Sequence, residues 1–111
     1  MITIEALKEC GVDVADGLKR CMNNEGFYLR LVNMALADGN FDKLREAVEA
    51  GDRKAAFEAA HALKGVLGNL SLTPLYRSAS DITELLRADS DADYAALVSG
   101  LAEERGRLQA L

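Results

Sequence analysis

The stretch Asp52–Leu70 reads DRKAAFEAAHALKGVLGNL, and its periodicity decides how the rest of the chain is read. At ~100° per residue, with His61 set at zero, Ala56, Ala59, Leu63, Val66, Leu67 and Leu70 cluster on the opposite side of a helix. Lys54, Glu58, Lys64, Gly65 and Gly68 gather around His61. The spacing therefore predicts a helix with one apolar stripe. Gly51 serves as the stop of the preceding helix and Asp52 as the N-cap of this one. The single histidine lies on the polar face, directly opposite the stripe.

Outward from this helix, turn signals cut the chain into further helices. Thr3 to Glu9 reads as a short helix ended by Gly11. Asp13 is the N-cap of a second, with Val14, Leu18 and Cys21 on one face. From Glu25 onward Phe27, Leu31 and Met34 recur at helical spacing, then Phe41, Leu44 and Val48. Asp38-Gly39-Asn40 lies between, so this is one long kinked helix or two in line. Thr73-Pro74 reads as N-cap and Pro at the first helical position. Leu75, Ala79, Ile82 and Leu86 follow as a stripe, and Asp89-Ser90-Asp91 breaks it. Tyr94, Leu97, Val98, Leu101 and Leu108 stripe the last helix. The expectation is an all-α, up-down four-helix bundle with short additional N-terminal helices, one domain over residues 1–111.

Composition agrees. Ala (18) and Leu (17) supply 35 of 111 residues, whereas Val, Ile and Thr together supply 12, so helix formers dominate. Thirteen basic against eighteen acidic side chains give a net charge of −5 with no basic run, which disfavours nucleic acid and anionic membrane as partners. No segment approaches the ~20 apolar residues of a membrane span. Met1–Glu5 has no basic, signal-like start. Cys10 and Cys21 show no metal-like pairing, which fits a reduced, cytoplasmic setting.

The environment of His61 carries the functional information. Gly65 and Gly68 sit mid-helix on its face, where each costs roughly 1 kcal/mol relative to Ala. Such glycines often mark close approach by another surface, a partner or a neighbouring helix. Lys64 is the surface neighbour of His61 and is either a solvated lysine or a cation placed to offset a phosphate. Phe57, one turn earlier, is either core edge or part of a docking patch. Elsewhere, Asp89-x-Asp91-x-Asp93 echoes a calcium loop. Tyr94 stands where that loop needs Gly, however, and Gly100 where it needs Glu. These acids read as loop and helix-start residues. No nucleotide-binding motif occurs, which argues against a self-contained kinase.

The run from Ala60 to Gly65, AHALKG, followed by Gly68-Asn69-Leu70, closely resembles the active helix of histidine phosphotransfer (HPt) domains. The resemblance extends over most of the chain: Ala50-Gly51-Asp52 matches the turn that usually precedes the active helix, and Leu75 onward matches the next helix. One departure is Ser71, where the family commonly has a glycine closing the helix. The resemblance implies a four-helix bundle with His61 as exposed phosphoacceptor, attacking through Nε2, and Lys64 as charge support. The binding face expected around them comprises Lys54, Phe57, Glu58, Gly65, Gly68 and Asn69. The implied partners are response-regulator receiver domains, a hybrid sensor histidine kinase, or both. By the same resemblance Mg²⁺ belongs to the receiver, so no metal or other cofactor is expected in this chain. The chain would be a transfer intermediate rather than a kinase. An exposed histidine and the absence of a heptad seam favour a monomer.

Two other readings stay open. In one, the bundle is an interaction module and His61 is incidental. In the other, it is the phosphoacceptor part of a sensor kinase. That second class usually has an acidic residue directly after the histidine and a nearby Pro, whereas here Ala62 follows and Pro74 is distant.

Overall fold

Short polar side chains start most of the helices. The computed structural model describes residues 1–111 as seven helices: α1 (Ile4–Glu9), α2 (Val14–Arg20), α3 (Glu25–Leu36), α4 (Asn40–Glu49), α5 (Arg53–Asn69), α6 (Thr73–Arg87) and α7 (Tyr94–Gln109). Thr3, Asp13, Asn24, Asp52 and Asp93 each accept a hydrogen bond from the backbone N–H three residues on, at 3.0–3.2 Å. These caps satisfy N–H groups that the helix itself leaves unpaired. Between α3 and α4, Asp38 Oδ1 accepts from the Asn40 N–H at 2.8 Å, so the kink-or-break alternative resolves to two helices.

Helices α4 to α7 form the bundle. α5 packs on α4 and α6, α6 on α7, and α7 closes back onto α4. Arg105 near the end of α7 lies over the Phe41 ring at the start of α4, 4.4 Å from its centroid. Arg53 at the start of α5 lies 5.4 Å from the ring centroid of Tyr94 at the start of α7. α4 and α7 are therefore antiparallel, and α5 and α7 parallel, as up-down connectivity requires. α3 reaches the far end of α7, where the Leu36 carbonyl accepts from Arg105 Nε and Gln109 Nε2. The four-helix bundle and the short N-terminal helices both stand as expected. The buried side chains form one contiguous cluster that includes Ile4, Leu7 and Val14, so α1 and α2 belong to the same packing unit as the bundle.

Three local expectations are corrected. The stripe of α3 is rotated: Tyr28, Val32, Ala35 and Leu36 are buried, Phe27 and Leu31 only partly, and Met34 is 63% exposed. Tyr28 takes the inner position because Gly17 of α2 leaves room for its ring and because its hydroxyl donates to the Leu70 carbonyl at 2.8 Å. A buried phenol needs such a partner, and burial also pushes its pKa up to about 12. Thr73 is not the N-cap of α6. Leu72 holds that position, fully buried, and the Thr73 hydroxyl donates instead to the Ser71 carbonyl at 3.1 Å. In α5, Ala60 joins the buried face and Val66 is only half-buried.

The turn after α5 matters for the site. Ser71 adopts a left-handed backbone with φ +54°, a conformation usually left to glycine. Its hydroxyl donates to Asp16 on α2, and its carbonyl accepts from the Asp13 N–H. Ser71 thus makes the turn and ties α2 to it. Asp89 and Asp91 bind Arg53, and Asp93 caps α7, so the calcium-loop echo consists of structural acids.

A Cβ at Gly17 would stand 2.5 Å from the Tyr28 ring. Helix propensity favours Ala over Gly by roughly 1 kcal/mol, but overpacking a fixed ring costs about 1–3 kcal/mol. Gly17→Ala is therefore expected to lower the melting temperature. An unchanged or raised value in thermal denaturation would show that Tyr28 moves freely.

Candidate functional site

The middle of α5 is where its polar face comes to the surface. His61 is exposed there, while Ala56, Ala59, Ala60, Leu63 and Leu67 on the other side are buried. Spacing of four along the helix brings Phe57 against the imidazole. The two rings are stacked, with centroids 5.7 Å apart and planes at 12°. Phe57 is half-buried and also carries the Arg87 guanidinium of α6 at 5.0 Å from its ring centroid.

Lys64 lies three residues beyond His61, with most of its stem covered and its side chain 26% exposed. Its Nζ is 4.0 Å from Glu84 Oε1 on α6. The other oxygen of Glu84 accepts from Arg87 Nε at 2.8 Å. That hydrogen bond, with the charges of Arg87, Lys64 and His61, holds the Glu84 carboxyl below its ordinary range. His61, Phe57, Arg87, Glu84 and Lys64 thus form a chain of contacts bridging α5 and α6. Glu84 and Arg87 were not singled out from the sequence. Their only signal there is an acid–base pair three apart on the polar face of α6, a pattern common on any exposed helix.

Beyond His61 toward the end of α5 runs an open groove of about 530 Å³. One wall is α5, with His61, Lys64, Gly65 and Asn69; the other is α2, with Asp13, Asp16 and Arg20. The two glycines on the histidine's face differ in role. A Cβ at Gly65 would meet nothing within 4 Å, so this position faces open space. A Cβ at Gly68 would stand 3.1 Å from the Tyr76 ring of α6, so Gly68 lets that ring pack close. The structure therefore gives Gly68 a packing role within the groove floor. Lys54 and Glu58 are exposed but lie outside the groove. Glu58 borders a separate hollow against α4. The expected face is thus divided: His61, Lys64, Gly65, Gly68 and Asn69 share the groove, Phe57 backs the imidazole, and Lys54 and Glu58 stand apart.

Residues 34–111 match the family model described as Hpt domain, which spans 111 − 34 + 1 = 78 of the 111 residues. The chain belongs to the Hpt domain family. Its members carry phosphoryl groups on histidine in two-component phosphorelays, in exchange with receiver domains and kinases. Comparison with curated proteins and with solved structures gives no match. Residues 1–33, which hold α1, α2 and the first turns of α3, lie outside the matched stretch.

The empty space at Gly65 sets a test with two signs. Gly65→Gln should leave the melting temperature equal or higher, since helix propensity improves and nothing is displaced. The same side chain would project one turn from the imidazole and should slow phosphoryl exchange with a receiver. A fall in melting temperature with exchange intact would show that the glycine serves the fold. Removal of the carboxylate at Glu84 should act on the phosphorylated form. A fixed negative charge beside an incoming phosphoryl group disfavours it, and this one also competes for Lys64. Glu84→Gln is thus expected to shift the equilibrium of label between this chain and a receiver toward this chain. An unchanged distribution would place Glu84 outside the phosphoryl group's field.

Proposed function

We propose that this chain is a phosphorelay carrier that takes a phosphoryl group from the aspartyl phosphate of one receiver domain onto His61 and passes it to another receiver. The observation that carries the reading is the isolation of His61: the only histidine, exposed at mid-helix, backed by Phe57, with a lysine one turn on and open space at Gly65. Helix α5 is held rigidly by the core behind it, which positions the imidazole without further ligands.

In the transfer, the lone pair of His61 Nε2 attacks phosphorus and the N–P bond forms as the bond from phosphorus to the receiver's aspartyl oxygen breaks. The carboxylate leaves with the electron pair, and the imidazole proton stays on Nδ1. The reverse sequence delivers the group to a second receiver. Lys64 supplies a cation three residues from the reacting nitrogen, drawing on a long, weak contact with Glu84 that costs little to give up. Mg²⁺ belongs to the receiver's side of the reaction. Nucleophile and donor are thus split between two proteins, so the chain is a transfer intermediate and not a kinase in itself.

The setting follows from the same reading. Receivers and hybrid sensor kinases are the partners, and the chain acts as a monomer in the cytoplasm, as one domain over residues 1–111. No helix is long and apolar enough to cross a membrane, and both cysteines are free thiols, Cys21 buried and Cys10 half-buried.

His61→Gln is expected to abolish acid-labile phosphorylation by phosphorylated receivers and to leave the melting temperature nearly unchanged, because the side chain is exposed. Persistent labelling of the variant rejects the assignment. Absence of labelling of the wild type by every receiver of the same genome leaves the bundle as an interaction module.

A further inference from the structure

The wall of the groove opposite His61 is built by α2, a segment outside the stretch that matches the family model. We infer that α2 selects the partner: Asp13 and Arg20 read a receiver domain that presents a basic side chain to the first and a carboxylate to the second. The inference rests on the proposed carrier function and adds the surface that chooses among receivers.

The first support is rigidity. α2 is joined to the end of α5 by the Asp13 N–H to the Ser71 carbonyl, by the Ser71 hydroxyl to Asp16, and by Tyr28, which sits against Gly17 and donates to the Leu70 carbonyl. Val14 and Gly17 face the core. A partner whose aspartyl phosphate reaches His61 therefore meets α2 in one place, without a loop to order on binding.

The second support is how the charges are spent. Asp16 Oδ2 accepts from the Ser71 hydroxyl and from Arg20 Nε, the latter at 2.8 Å, and these bonds, Ser71's first, hold the carboxyl below its ordinary range. Arg20 is bound through Nε alone, so its two terminal nitrogens make no bond within the chain, and its side chain is half-exposed on the groove. A guanidinium held at its inner edge presents a fork suited to a carboxylate. Asp13 uses Oδ1 to cap α2 and makes no ion pair. At about 1.5 Å rise per residue, Asp13 and Arg20 lie roughly 10 Å apart along α2, a span that one protein surface can meet. The Asp16 carboxylate bonded to Arg20 disfavours a free phosphate dianion there, so the acid that fits comes from a mixed-charge protein surface.

The third support is where this wall sits in the chain. His61, Lys64 and Gly65 fall within the matched residues 34–111, whereas Asp13, Asp16 and Arg20 do not. The groove thus joins α5, inside the matched stretch, to α2, outside it, so two separate parts of the chain meet a docked receiver.

The test measures transfer from phosphorylated receivers of the same genome to the full chain, as a function of receiver concentration and salt. For the receiver that the wild type prefers, Arg20→Glu should raise the half-saturating concentration roughly tenfold with little change in maximal rate, as reversal of a rim charge does. Asp13→Lys should weaken the same receiver, and both effects should shrink at high salt. Arg20→Gln, which places no second acid beside Asp16, should show a smaller rise and guards against unfolding of α2; melting temperatures are read for all three. Unchanged half-saturation with every receiver overturns the inference, as does a fall in maximal rate alone, which would assign Arg20 to the transfer step. A wild type that phosphoramidate does not label on His61 and no receiver labels overturns the carrier reading and this one together.

Discussion

Helix α5 has to be buried on one side and bare on the other, and the rest of the fold accommodates that requirement. Its inner face is mostly alanine, with Ala56, Ala59 and Ala60 at 1%, 4% and 0% exposure. Such small side chains let α4 and α6 approach closely while Leu63 and Leu67 fill the space between them. Both ends are also tied down. Arg53 binds Asp89 and Asp91 in the loop before α7, and at the other end the Leu70 carbonyl takes the Tyr28 hydroxyl. The exposed arginine pairs add little stability individually. The buried phenol contributes more, because loss of its partner would strand a polar group in the core. A helix held in this way can carry an exposed imidazole at its centre, because the buried face and the two ends hold it in place.

The surroundings of that imidazole are charged but nearly balanced. Lys64 and Arg87 face Glu84 across α5 and α6, and Arg20 faces Asp16 on α2. A transient phosphoryl group carries negative charge, so a strongly positive site would hold it too long and a negative one would not accept it. Mixed pairs with one long contact, Lys64 to Glu84 at 4.0 Å, suit the loading and unloading proposed for His61. Phe57 adds an apolar backing to one face of the ring and links it to Arg87 without a hydrogen bond to the histidine.

Ser71 shows how a departure from a family pattern can be used. The turn after α5 needs a left-handed residue, and a serine there is strained by about 1 kcal/mol or more. In return its hydroxyl reaches Asp16, which a glycine could not do. The strain and the contact belong together, because Asp16 in turn orients Arg20 at the groove. Local sequence could not show that link, since the partner lies 55 residues away in sequence.

Most helices were legible in the chain because each obeys local rules: an oxygen-bearing cap, a stripe of period 3.6, and a glycine or acidic break. The position of His61 opposite the stripe follows from the same period, as does the presence of Lys64 and Gly65 beside it. Local rules could not decide the inner face of α3, where Phe27 and Tyr28 are neighbouring aromatics and the space over Gly17 and the Leu70 carbonyl, both supplied by other elements, favour Tyr28. Nor could they separate Gly65 from Gly68, two helix glycines on one face, one open and one beneath the Tyr76 ring of α6. Glu84 and Arg87 of α6, and Asp13 and Arg20 of the α2 wall, reach the surroundings of His61 only when helices distant in sequence pack side by side. Periodicity therefore determined the bundle and the exposed histidine, because both depend on neighbours three and four residues apart. What surrounds that histidine was decided by tertiary packing, because charges and rings from separate helices meet only after the core has set their spacing.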